Sequence, residues 1–152
     1  GVYYKPQKSR FGTLPVDTQE LINALSRKKH AEYVVAGAAA MNALGLSTQL
    51  PMVRSYIISE RVRADLKSVN IKIEYSKALS YFTNSLKIND STQKKHALVF
   101  WSALQYISKD KFTDYRNEYI SRFNKMLDEN ARTKFLRALP PSMSWARSEL
   151  GN

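Results

Sequence analysis

At 152 residues the chain has room for one full hydrophobic core, and 43% apolar with 24% charged residues excludes a disordered tail or a low-complexity segment. It contains no cysteine, which excludes a disulfide framework, thiolate zinc sites and thiol chemistry, and suits a reducing, cytoplasmic compartment. With 24 Lys and Arg against 13 Asp and Glu, the formal charge is +11 and the pI is near 9.9. Such an excess favours polyanionic partners, nucleic acid or an acidic protein, beside the plainer reading of a solubilising surface.

In chain order, Val2-Tyr3-Tyr4 has strand-forming residues, and Lys5-Pro6 ends the run because proline cannot donate to a ladder. A strand that starts so early expects its partners upstream. After the polar stretch 7–13, Asp17 has the character of a helix N-cap, with Glu20 at N3 and Val16 and Leu21 at the staple positions. This N-terminal helix continues through Leu21, Ile22 and Leu25 to Arg27-Lys28-Lys29, cations suited to the negative end of its dipole.

Residues 31–36 read as a short buried strand and the Ala-rich 38–44 as a short helix with Gly45 just past its end. Residues 53–59 are expected to form a strand, Val62 to Leu66 follow, and 69–75 alternate apolar with polar in period two, as a half-buried strand does. From Asp90 the period becomes helical. Ala97, Leu98, Trp101, Leu104 and Ile107 share one face, and Phe112, Tyr115, Tyr119, Phe123, Met126 and Leu127 form the apolar set of a second segment. A third helix is expected near 130–139, stopped by Pro140-Pro141, and a final turn sets Trp145 and Leu150 against the body. The expected fold is α/β (α+β): a small mixed sheet, an N-terminal helix and about three C-terminal helices, with residues 14–152 as one domain.

The uncharged run from Tyr33 to Val53 is long enough for a membrane span, but Gly37, Asn42, Gly45, Ser47, Thr48, Gln49 and Pro51 interrupt it, so no membrane partner is expected. Its strand-glycine-helix turn at Gly37 lacks both G-x-G-x-x-G and G-K-[ST], so close packing outweighs a phosphate loop. Magnesium-dependent nucleotidyl transfer needs converging carboxylates, whereas the nearest downstream acids, Glu60 and Asp65, stand among Arg61, Arg63 and Lys67. His30 and His96 each follow a Lys-Lys pair and read as solvated helix-terminal residues rather than metal ligands. No catalytic residue, metal site or cofactor is therefore expected. The candidate nucleic-acid contacts are Arg54, Arg61, Arg63, Lys67, Lys72 and Lys77, in the expected sheet and its turns, where alternation lines several of them on one face. A solvated outer face, or lysines that discourage edge-to-edge pairing, would have the same sequence.

Three sets of residues carry a family resemblance: Gly1-Val2-Tyr3-Tyr4-Lys5-Pro6, the capped helix from Asp17, and the series Gly37-Ala38, Ala40-Met41-Asn42, Leu44-Gly45-Leu46-Ser47-Thr48-Gln49 before Pro51. Over residues 1 to about 76 the chain resembles the C-terminal portion of AbiEi-type antitoxins of type IV, or abortive-infection, toxin-antitoxin systems of bacteria. The resemblance implies that residues 1–13 are the wing strand and linker ending an upstream winged-helix DNA-binding domain, and that 14–152 are the antitoxin C-terminal domain. It also implies a non-enzymatic repressor of its own operon that counters a nucleotidyltransferase-like toxin, directly or indirectly. Sequence-specific reading of DNA, as a dimer on paired sites, would fall to the recognition helix of the upstream domain.

Overall fold

A computed structural model describes residues 8–9, 12–13, 23–24, 26–27, 31–48, 54–61 and 71–151. The expected strand at 2–4, the capping box at 17–20 and the segment 62–66 lie outside the described residues. The polar stretch 7–13 contains a ladder that its composition did not announce: β1 (Lys8–Ser9) runs antiparallel to β2 (Gly12–Thr13). Asn23, Ala24, Ser26 and Arg27 are helical, within the expected N-terminal helix.

The main sheet has the order β3-β4-β5, with β3 (Tyr33–Val35), β4 (Arg54–Ile58) and β5 (Ile71–Tyr75). It is mixed, as expected: β3 pairs antiparallel with β4, Val34 opposite Ile57, and β4 pairs parallel with β5, Tyr56 opposite Ile73. Alternation sends Val34 and Ile57 toward the helical core, while Tyr56 and Ile58 bury themselves on the other side of the central strand. There the Tyr33 ring meets Tyr56 edge-on at 6.0 Å, and the Tyr33 hydroxyl donates to the Asn23 side chain of the N-terminal helix. The sheet is thus covered on both faces at β4.

Helix α1 (Gly37–Ala43) follows β3 directly and buries Ala40 and Met41. Its end is a Schellman motif: the Gly45 amide donates to the Asn42 carbonyl at 3.0 Å and the Leu46 amide to the Met41 carbonyl at 2.9 Å. Gly45, at φ +74°, supplies the left-handed residue this needs. Helix α2 (Lys77–Leu86) interrupts a stretch between the last strand and Asp90 in which no helix was expected. Ser76 caps it by accepting from the Leu79 amide at 3.1 Å, and Leu79, Phe82 and Leu86 are buried at helical spacing.

Helix α3 (Ser91–Met126) is broken at Ser108, where φ 63° and ψ 167° are not helical. A straight helix would separate Gln93 from Met126 by about 50 Å at 1.5 Å per residue. Instead the Gln93 side-chain amide donates to the Met126 carbonyl at 3.2 Å, so the two arms fold back as an antiparallel hairpin. This accounts for the two apolar sets read on either side of residue 108. Helix α4 (Glu129–Ala138) is capped by Asp128, whose carboxylate accepts from the Ala131 amide at 2.7 Å. A 3-10 turn (Pro141–Met143) then leads to α5 (Ser144–Leu150).

A column of rings joins these helices. Trp101 stacks on Phe82 at 5.6 Å, Phe82 meets Phe135 at 5.4 Å, Phe135 meets Phe123 at 5.1 Å and Phe123 meets Phe100 at 5.5 Å. Phe112 continues the column, contacting Tyr119 and, at 5.4 Å, Trp145 of the final helix. Such pairs add about 0.5–1.5 kcal/mol each beyond their area burial. The sheet is fastened to the hairpin by the buried Ser102 hydroxyl, which donates to the Val35 carbonyl at 2.7 Å, and by the Lys94–Glu32 ion pair at 2.6 Å.

Candidate functional site

The uncharged series that carries the family resemblance is a packing element first. Ala40, Met41, Leu44 and Leu46 are buried, and Asn42 donates from its side chain to the Ser47 carbonyl at 3.1 Å, fixing the exit from the Gly45 turn. Gly37 permits a close approach, but to a ring rather than to another backbone. A Cβ there would lie 2.4 Å from Cδ2 of Tyr106. Beside this contact is a cleft of about 250 Å³, lined by Gly37 and its alanine neighbours, Ser55, Tyr56, Lys72, Glu74 and Tyr106.

The six basic candidates are distributed as follows. Arg63 and Lys67 lie outside the described residues. Arg54 opens β4 opposite Ile71, one register position from the Ser55–Lys72 pair, so these two basic residues do not stand side by side on the ladder. Lys72, on the edge strand β5, is paired with Glu74 at 2.9 Å, both side chains well exposed. Charges of this kind blunt a sheet edge and, in open solvent, contribute little to stability. Lys77 is the exposed first residue of α2.

Arg61 follows the end of β4 and places its guanidinium over the Tyr75 ring, Cζ 4.8 Å from the centroid. The parallel ladder brings them together, because Ile58 stands opposite Tyr75 and the chain continues three residues to Arg61. Arg61, Lys72 and Lys77 are therefore gathered around β5 and the strand-to-helix junction after it.

Sequence reasoning missed the aromatic members of this region. Tyr75 is the last apolar position in the alternation of 69–75, yet it ends the edge strand and is 39% exposed. Tyr81 and Tyr106, exposed on helices, were not singled out. Tyr81 falls between Leu79 and Phe82, off the apolar face of α2, and that offset was a signal available in the sequence.

The remaining polar residues have structural roles. His96 is not a solvated helix-terminal residue: it lies half-buried within the first arm of α3, its Nδ1 3.3 Å from the Met126 carbonyl. His30 and Asp65 lie outside the described residues, and Glu60 is exposed. Among the described residues, no three of His, Cys, Asp or Glu gather as a metal site would require. No helix among them is long and apolar enough to cross a membrane.

No curated protein and no solved structure matches this chain. The family pattern that matches it, "Family of unknown function (DUF6088)", aligns with residues 1–133, from before β1 into α4. Covering most of the 152 residues, that match makes the chain a member of the DUF6088 family.

Proposed function

We propose that this chain is the antitoxin and transcriptional autoregulator of a type IV toxin-antitoxin operon, acting in the cytoplasm by binding rather than catalysis. The observation that carries the reading is the series from Gly37 to Gln49, which resembles the AbiEi-type C-terminal domain. Its members have demanding local roles: Gly45 holds a positive φ, Asn42 pins the chain after the turn, and Ala40, Met41, Leu44 and Leu46 enter the core. A sequence match at such positions favours a shared structural element over a shared composition. On this reading residues 1–13 close an upstream winged-helix domain that reads the promoter, and 14–152 oppose a nucleotidyltransferase-like toxin.

Co-expression with the neighbouring toxin gene tests the antitoxin half. Growth is restored by the full-length gene, and loss of rescue by both that gene and this chain refutes the reading. A mobility-shift assay on the operon promoter tests the second half, where specific binding requires the upstream domain. The +11 charge favours one other reading, a non-specific nucleic-acid-binding domain without a toxin partner. Steep salt dependence on unrelated DNA together with no effect on toxicity selects it. Metal-dependent nucleotide turnover abolished by Glu60→Gln or Asp65→Asn would overturn the non-enzymatic assignment.

A further inference from the structure

Three large apolar side chains stand exposed among the described residues, and all are tyrosines: Tyr75 at 39%, Tyr81 at 52% and Tyr106 at 58%. Two of them share one corner. Tyr75 ends β5, Ser76 caps α2, Lys77 begins it, and Tyr81 lies one turn beyond Lys77 on the same face. Arg61, three residues past the end of β4, reaches the same corner with its Cζ 4.8 Å from the centroid of the Tyr75 ring. A single exposed tyrosine needs no explanation, but two rings interleaved with two cations form a pattern.

We propose that this corner is a stacking platform for single-stranded nucleic acid, one unpaired base stacking on Tyr81 and another on the Arg61–Tyr75 pair, while Lys77 and the N–H groups of Arg61 meet the adjoining phosphates. Every base has a π-face, so exposed rings bind a flexible strand with little regard to sequence. In a duplex those faces are occupied by neighbouring bases, which makes the rings selective for single strands. Arginine stacked on a ring keeps its N–H edge available for phosphate oxygens.

Two carboxylates lie nearby. Glu74 is matched by Lys72 at 2.9 Å, and Glu60, beside Arg61 in sequence, is exposed. The same residue types also serve as hot spots between proteins. The excess of 24 basic over 13 acidic residues decides for a polyanion. This inference does not depend on the antitoxin reading, and the growth assay and the assay below can fail separately.

The test is fluorescence anisotropy of the whole chain with a labelled uridine oligomer about 15 nucleotides long, against a duplex of equal length, in roughly 50 mM salt. Tyr75→Leu with Tyr81→Leu keeps the apolar packing but removes both rings. It weakens single-strand binding by about tenfold, while the corresponding Phe pair stays within about twofold of the parent. Lys77→Gln lowers the slope of log affinity against log salt by about 0.7. Circular dichroism checks that each variant is folded. No binding to the oligomer, equal binding by the Leu pair and the parent, or duplex binding as tight as single-strand binding each overturns the proposal, the first leaving the corner to a protein partner.

Discussion

At the scale of single residues, two glycines in the uncharged series do different work, and the difference has measurable consequences. Gly45 is held at φ +74°, where an L side chain is strained, and an added Cβ would also lie 3.2 Å from the Arg122 guanidinium. Gly37 has no such backbone demand, and its obstacle is the near edge of the Tyr106 ring, on a side chain that is 58% exposed. Gly45→Ala is therefore expected to destabilise the fold by about 1–2 kcal/mol. Gly37→Ala should cost less, and its cost should vanish in a Tyr106→Ala background. Urea midpoints of the four variants, including the double, decide both points. The end of an apolar helical run is a local signal that marked Gly45, whereas at Gly37 the sequence pointed to close packing without indicating that the neighbour is the Tyr106 ring.

At the scale of elements, the break in α3 converts one long helical sequence into a hairpin. Ser108 adopts φ 63° and ψ 167°, a region populated almost only by glycine, at a cost of order 1–3 kcal/mol. The surrounding contacts hold it there: Gln93 bonds to Met126 and Asp128 at the open end, and Phe100 packs on Tyr119 and Phe123 between the arms. Ser108→Gly is expected to stabilise the protein by about 1 kcal/mol net of the added freedom of the unfolded chain, and Ser108→Val to destabilise it. Thermal unfolding of the two variants checks this. The two apolar sets flanking residue 108 were legible as separate segments. The missed α2 was also within reach, since Ser76 caps a run with Leu79, Phe82 and Leu86 at helical spacing.

At the scale of the molecule, the ring column links the hairpin to α2, α4 and the final helix, and its centre holds one titratable group. The Tyr119 hydroxyl is buried completely and donates to the Phe100 carbonyl at 2.7 Å. Burial raises its pKa well above the ordinary tyrosine value, because the phenolate would have to form away from water. Below about pH 10 folded and unfolded chains both keep this proton, so its contribution to stability is complete. Above that pH the unfolded chain releases it while the folded chain retains it. Stability then falls by up to about 1.4 kcal/mol per pH unit. Tyr119→Phe should flatten this alkaline decline while lowering stability near neutrality by about 1 kcal/mol for the lost hydrogen bond. Paired denaturant titrations at neutral and alkaline pH measure the difference.

What the sequence determined by itself was governed by neighbours in the chain. Period-two alternation marked β5, the apolar spacing marked both arms of α3, Gly45 marked the end of α1, and Pro140-Pro141 marked the end of α4. The charge excess pointed to a polyanion without locating it. The tertiary structure decided what depends on residues far apart in the chain. The parallel β4-β5 register delivers Arg61 to Tyr75, the reversal at Ser108 sets Gln93 against Met126, and the packing of α1 on the hairpin lays Tyr106 over Gly37. Local signals come from backbone preference and periodic burial, which act over a few residues. A surface corner of rings and cations is assembled by strand order and chain reversal, and no short window of sequence contains either.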